Sequence, residues 1–112
     1  MTVSHMTVVV TQLIEPRFIE KAAADLNHRV EIQARQGFSI ERVAFNWNGK
    51  SYEASADTDH VKAENVHSLA RKLSQRYAYH ATKETLAEKG FDLVTEETER
   101  NGAIRLTLRR IA

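Results

Sequence analysis

The sequence predicts an α+β fold: a roughly five- to six-stranded, mainly antiparallel sheet with two helices on one face, in the order β-α-β-β-β-α-β-β. Three observations predict it. A run of β-branched residues opens the chain, two stretches carry apolar residues at helical spacing, and the Asn-Gly pairs Asn48-Gly49 and Asn101-Gly102 separate alternating segments. With 112 residues the chain has the length of one domain, so residues 1–112 are read as a single α+β unit.

Residues 5–13, HMTVVVTQL, form the first strand, and because both of its faces are partly apolar it is expected inside the sheet. Glu15-Pro16 marks a helix start, with a carboxylate at the cap and proline at the first helical position. Phe18, Ile19, Ala22, Ala23 and Leu26 then share one face of a short amphipathic helix ending near Asn27. Val30, Ile32 and Ala34 alternate with charged and polar residues, which predicts a strand up to a turn at Gly37. Asn48-Gly49 is the favoured pair for a two-residue type I′ hairpin, which would set Trp47 opposite Lys50, Phe45 opposite Tyr52 and Val43 opposite Ala54.

A polar connection, Asp57-Thr58-Asp59-His60, leads to a long helix capped by Asn65 and stopped after Lys89 by Gly90 in the left-handed region. Its apolar face begins with Val66, Leu69, Ala70 and Leu73, but Leu86 falls in phase with Tyr79, so the stripe shifts at QRYAYH, residues 75–80. Such a shift calls for a bend or a second contact surface. The tail contains two strands joined by a three-residue loop with Gly102 left-handed, which sets Thr98, Glu96 and Val94 opposite Ile104, Leu106 and Leu108 and pairs Glu97 with Arg105.

Composition excludes several function classes. There are 16 Lys and Arg against 15 Asp and Glu, a formal charge of +1, far from the basic balance of most nucleic-acid-binding domains. Without cysteine there are no disulfides, thiolate nucleophiles or Cys-ligated zinc, and an intracellular, cytoplasmic setting is expected. No apolar run is long enough for a bilayer, and the N-terminus lacks a basic segment before an apolar stretch, so no membrane association or export is expected. His5, His28, His60, His67 and His80 include no i, i+4 pair, and no metal or other cofactor is expected. Asp57, Asp59 and His60 read as loop and capping groups. No Gly-x-Ser-x-Gly or phosphate-cradling glycine loop is present, so no catalytic residue is assigned and the protein is read as a non-enzyme, with His80 as general base the weakest alternative.

QRYAYH places three rings, a guanidinium and an amide within six residues. Tyr77 and His80 share one helix face and Arg76 and Tyr79 the next. The motif is either an inner face, with Tyr77 and His80 packed on the sheet, or a recognition surface. As a surface it would join Arg76, Tyr79 and His80 to Asn46 and Trp47 at the hairpin end. The expected partner is then another protein, a homodimer being one form of it. Single-stranded nucleic acid bound by Arg71, Lys72 and Arg76 beside the rings is the less favoured alternative, because Glu64, Glu84 and Glu88 dilute the same helix.

These segments resemble a known family. Ser4-His5-Met6-Thr7, Thr11-Gln12, Phe45-Asn46-Trp47-Asn48-Gly49-Lys50 with Tyr52, Gln75-Arg76-Tyr77-Ala78-Tyr79-His80, Gly90-Phe91 and Asn101-Gly102-Ala103-Ile104-Arg105-Leu106 follow the order of the hypothetical chloroplast reading-frame family of cyanobacteria and plastids, also found in other bacteria and phages. The sequence departs from that pattern in being shorter before FNWNGK and in carrying ADTDHVKAE where the family has aromatic residues. The resemblance implies a small cytoplasmic or stromal protein with no assigned reaction or catalytic residue, a domain of unknown function.

Overall fold

A computed structural model describes residues 5–111, so Ser4 of the N-terminal motif, with Met1, Thr2 and Val3, lies outside the described residues. The elements are β1 (Met6–Val10), α1 (Pro16–Asp25), β2 (Phe38–Ile40), β3 (Val43–Trp47), β4 (Tyr52–Asp57), α2 (Ala63–Glu88), β5 (Phe91–Thr98) and β6 (Ile104–Arg110). Class and order are those the sequence predicts. The six strands divide into a four-stranded antiparallel sheet of order β1-β4-β3-β2 and a separate β5-β6 hairpin.

Both helices cover one face of the four-stranded sheet. Val43, Phe45, Tyr52, Ala54 and Ala56 point into that layer, against Ile19, Ala22 and Ala23 of α1 and Val66, Leu69, Ala70 and Leu73 of α2. Helix α1 starts at Pro16 as expected, but Glu15 makes no side-chain cap. It ends in a Schellman motif: Asn27 is left-handed at φ 65°, and the His28 and Asn27 N–H groups donate to Ala23 and Ala24 carbonyls at 2.9 and 3.0 Å. Helix α2 begins at Ala63, two residues before the expected Asn65 cap, and stops at Glu88 with Gly90 at φ 85°.

Three expectations in and around the four-stranded sheet are corrected. First, β1 is an edge strand, not an inner one. It ends at Val10 because the buried Thr11 side chain donates to the Tyr52 carbonyl at 2.6 Å and accepts from the Leu13 N–H, breaking the ladder. Second, residues 30–35 are irregular; Ile32 still enters the core, but the strand forms later, at Phe38–Ile40. What selects it is Phe38, stacked on Phe45 at 4.8 Å, with the chain passing Asn46 so closely at Gly37 that a Cβ there would lie 2.5 Å from the Asn46 amide oxygen.

Third, the hairpin at Asn48-Gly49 pairs Trp47 with Tyr52 and Phe45 with Ala54, leaving Asn48–Ser51 in the loop. The Asn48 carboxamide oxygen accepts from the Lys50 and Ser51 N–H groups, both at 2.9 Å, and so prefers the wider turn. Because the slip is two residues, every side chain stays on its expected face. The two-residue type I′ turn occurs instead between β2 and β3: Ile40 pairs with Val43, and Glu41 and Arg42 sit at φ 50° and 68°.

The C-terminal hairpin keeps the expected register from Thr98↔Ile104 through Glu96↔Leu106, with Gly102 at φ 86°. Beyond Thr95 a bulge shifts it, so Leu93 and not Val94 faces Leu108. Val94 is consequently exposed. Phe45 is fully buried at the centre of the sheet, and Phe45→Ala is expected to lower unfolding stability by about 3–5 kcal/mol, read from urea denaturation with an unchanged m-value.

Candidate functional site

Leu73 is the last residue of α2 in the main core, and QRYAYH follows it into a junction of α1, α2 and β5. Tyr77 turns toward α1: its hydroxyl accepts from the Ile14 and Glu15 N–H groups at 3.3 and 3.0 Å, and its ring meets Phe18 edge-on at 5.8 Å. His80 and Arg76 share one acceptor on α1, the Asp25 Oδ2, each at 2.7 Å. Neither Tyr77 nor His80 makes its polar contacts with the sheet; Tyr77 holds the segment that enters α1, and His80 reaches α1 itself.

Arg76 also reaches the Glu96 carboxylate of β5 at 3.6 Å, and its guanidinium lies 4.3 Å from the centre of the Tyr79 ring. Tyr79 is 8% exposed, buried on the side of α2 that receives the β5-β6 hairpin. At the hairpin tip Gly102 sits so close to Gln75 that a Cβ would be 2.8 Å from its amide. The motif thus joins three elements through one network of charges and rings. With Arg76 and His80 side chains only 23% and 18% exposed, the network is shielded enough to outweigh an ordinary surface pair.

Electrostatics follow the geometry. Burial pushes the Asp25 carboxyl up, but the hydrogen bonds from Arg76 and His80, with their positive charge, outweigh it and hold the group below its ordinary 3.8. Tyr79 is raised above its ordinary 10.0 by its hydrogen bond to Glu96, then by burial and the Glu96 charge.

Asn46 and Trp47 are successive strand residues and point to opposite faces. Trp47 lies half-buried on the helix side, under the Arg35 guanidinium at 3.8 Å and edge-on to Tyr52 at 5.4 Å; Asn46 is exposed on the other side. Among the described residues no hydrogen bond, ion pair or ring contact joins them to Arg76, Tyr79 or His80. The three cations of the nucleic-acid alternative also separate: Arg76 lies between Asp25 and Glu96, Arg71 lines a groove beside β1 with Val9, Val10 and His67, and Lys72 lines a larger cavity near Arg42 and Asn65. Asp57 accepts from the Asp59 N–H at 2.9 Å and pairs with His60 at 3.2 Å, closing the loop before α2. No helix among the described residues is long and apolar enough to cross a membrane.

A surface missed in the sequence lies on β1. Met6, Val8 and Val10 point away from the helices and are 57%, 54% and 69% exposed, whereas the outward residues of β4 opposite them are Asp57, Ser55 and Glu53. Its signal was present in MTVVV: a strand apolar on both faces and free of charge leaves one apolar face uncovered when all helices lie on the other.

A family model described as a protein of unknown function (DUF1257) matches residues 18–107. The chain belongs to that family. The DUF1257 match runs from Phe18 in α1 to Thr107 in β6 and so takes in both helices, three strands of the main sheet and the hairpin. Relatives named uncharacterized protein ycf35 agree with the chloroplast reading-frame resemblance. The one from Guillardia theta is 38% identical over 69 residues, 61% of this chain, and the matched stretch spans about half (54%) of the relative's length. Those from Pyropia yezoensis and Cyanophora paradoxa are 25% and 26% identical over 125 residues, covering 96% of this chain and 97% of their own length. No solved structure matches the chain. The DUF1257 description assigns no activity.

Two outcomes test the junction. Asp25→Asn is expected to cost about 1–2 kcal/mol at neutral pH. Because the folded carboxyl is depressed, the stability it contributes is present above its ordinary 3.8 and lost as pH falls through the folded value, so the gap between wild type and variant should close in acid denaturation profiles below about pH 4. Tyr79→Phe should speed amide exchange in β5 and β6 while leaving β3 and β4 protected, as measured by NMR.

Proposed function

We propose that the protein is a non-enzymatic interaction module that docks through β1, and that its partner on this strand is a second copy of the chain. The observation that carries this reading is the uncovered apolar row Met6, Val8 and Val10 on a free sheet edge. Edge strands of soluble proteins are ordinarily blunted by lysine, proline or a bulge. MTVVV has no charge and no proline, and β1 pairs without a register shift along its length. Antiparallel self-pairing about Val8 sets Met6 opposite the second copy's Val10, so that every outward pair is apolar and no like charges meet. The result is one continuous sheet from two copies, a form of strand addition in which main-chain hydrogen bonds supply the affinity.

The non-catalytic part of the reading rests on how the histidine–carboxylate pairs are used. Asp25 binds His80 together with Arg76 and ties α1 to α2, Asp57 with His60 closes a loop, and Glu41 with His28 joins the β2–β3 turn to the end of α1.

Five residues per copy make a small interface, so association in the micromolar range is expected. In sedimentation equilibrium the wild type should shift from monomer to dimer with concentration, and Val8→Lys, exposed and therefore harmless to folding, should stay monomeric with an unchanged Tm. A wild type that remains monomeric at NMR concentrations, or a Val8→Lys variant that still dimerises, overturns the proposal.

A further inference from the structure

A cavity of about 540 Å³ lies between the β2–β3 turn, the end of α1 and the first turns of α2. Its volume is within the range of small-molecule sites. Leu26, Val43, Val61 and Leu69 supply apolar walls, and Arg42, Lys72, Asn65 and Ser68 bring donors to it. The carboxylate among the lining residues, Glu41, is held by His28 at 3.3 Å, and His60 is held by Asp57 at 3.2 Å. Among the described residues Arg42 and Lys72 enter no ion pair, so the lining sets two cations against the single carboxylate of Glu41.

The turn that delivers Arg42 is strained. Glu41 and Arg42 occupy both left-handed positions of a type I′ turn, at φ 50° and 68°, where Asn-Gly is the preferred pair and where side chains with a Cβ are disfavoured. Nothing in the local backbone favours Glu-Arg at these positions. What the pair achieves is to set a carboxylate beside His28 and a guanidinium beside the cavity, and strain of this kind is retained where side-chain placement matters more than local energy.

We propose that this cavity binds a small phosphomonoester, with Arg42 and Lys72 on the phosphate, Asn65 and Ser68 as neutral donors to it, and the apolar part of the ligand against Leu26, Val43, Val61 and Leu69. A phosphate dianion matches two cations, and its terminal oxygens can accept from all four groups. The site is separate from the β1 edge, so its occupancy and the proposed self-association can be tested independently.

The test is amide NMR titration with 5′-AMP as probe and adenosine as the uncharged control. Saturable shifts at residues 41–43 and 61–72 with 5′-AMP and none with adenosine are expected. Lys72→Gln, at an exposed position, should weaken binding about tenfold. The decisive variant combines Glu41→Asn with Arg42→Gly, which installs the preferred turn: its Tm should rise while its affinity falls about tenfold, an outcome that impaired folding would not produce. No saturable shift with 5′-AMP at millimolar concentration, equal shifts with adenosine, or wild-type affinity in the turn variant each overturns the proposal.

Discussion

Helix α2 runs 26 residues, about 39 Å, past a sheet whose longest strand has six residues and spans about 20 Å. Its first turns bury Val66, Leu69, Ala70 and Leu73, after which the helix has left the sheet behind and must bury a different surface. From Leu73 to Tyr79 the apolar stripe rotates by about 120°. The rotation brings Tyr79 and Leu86 toward the β5-β6 hairpin, and the rest of the architecture depends on it. A two-stranded hairpin is at best marginally stable alone in water. Here it persists because the second stripe of α2 offers Leu93, Leu106 and Leu108 an apolar partner.

At the point where the stripe changes side, neither core is complete, and polar groups take over the joining. Asp25 draws Arg76 and His80 onto α1, Glu96 draws Arg76 and Tyr79 onto β5, and Tyr77 covers the two N–H groups that enter α1. Each partner comes from a segment distant in sequence, which is why the motif carries so many polar and aromatic groups in so few residues. The face of β5 and β6 turned away from α2 gains little from this arrangement: Thr95, Glu97, Arg105, Thr107 and Arg109 are all solvent-exposed. Protection in the hairpin should therefore decline away from α2, since local stability follows burial.

What was legible in the sequence was periodicity and what depends on it. The two helices, the face of each hairpin residue and the phase shift at QRYAYH all follow from spacing alone. The β5-β6 register was legible from the turn as far as Glu96, because Gly102 and the three-residue loop act locally, but the bulge that puts Leu93 in place of Val94 was not. Distant contacts set the rest. Asn48-Gly49 has the signature of a two-residue turn, yet Asn48 uses its side chain to close a wider loop. Val30 and Ile32 alternate like a strand, yet Phe38 wins the pairing by stacking on Phe45. The identity of QRYAYH as a junction was hidden for the same reason: Asp25 and Glu96 lie 51 residues before Arg76 and 20 after it, and no spacing rule links them.

A chain of this size can cover one face of its main sheet with helices and has none left for the other. The usual solution is an alternating pattern with polar residues outward, and Asn46, Glu53, Ser55 and Asp57 follow it on β3 and β4. Met6, Val8 and Val10 do not, although they share that face. Glu41 and Arg42 depart from local preference in the same way, holding a turn geometry suited to other residues. In both places a polar residue on the strand, or Asn-Gly in the turn, would leave the fold intact and fit its surroundings better. Neither departure is required by the core, by the α2 junction or by the hairpin. Local rules broken without benefit to the fold mark positions where something other than folding constrains the residue, and in this chain they fall on two separate surfaces.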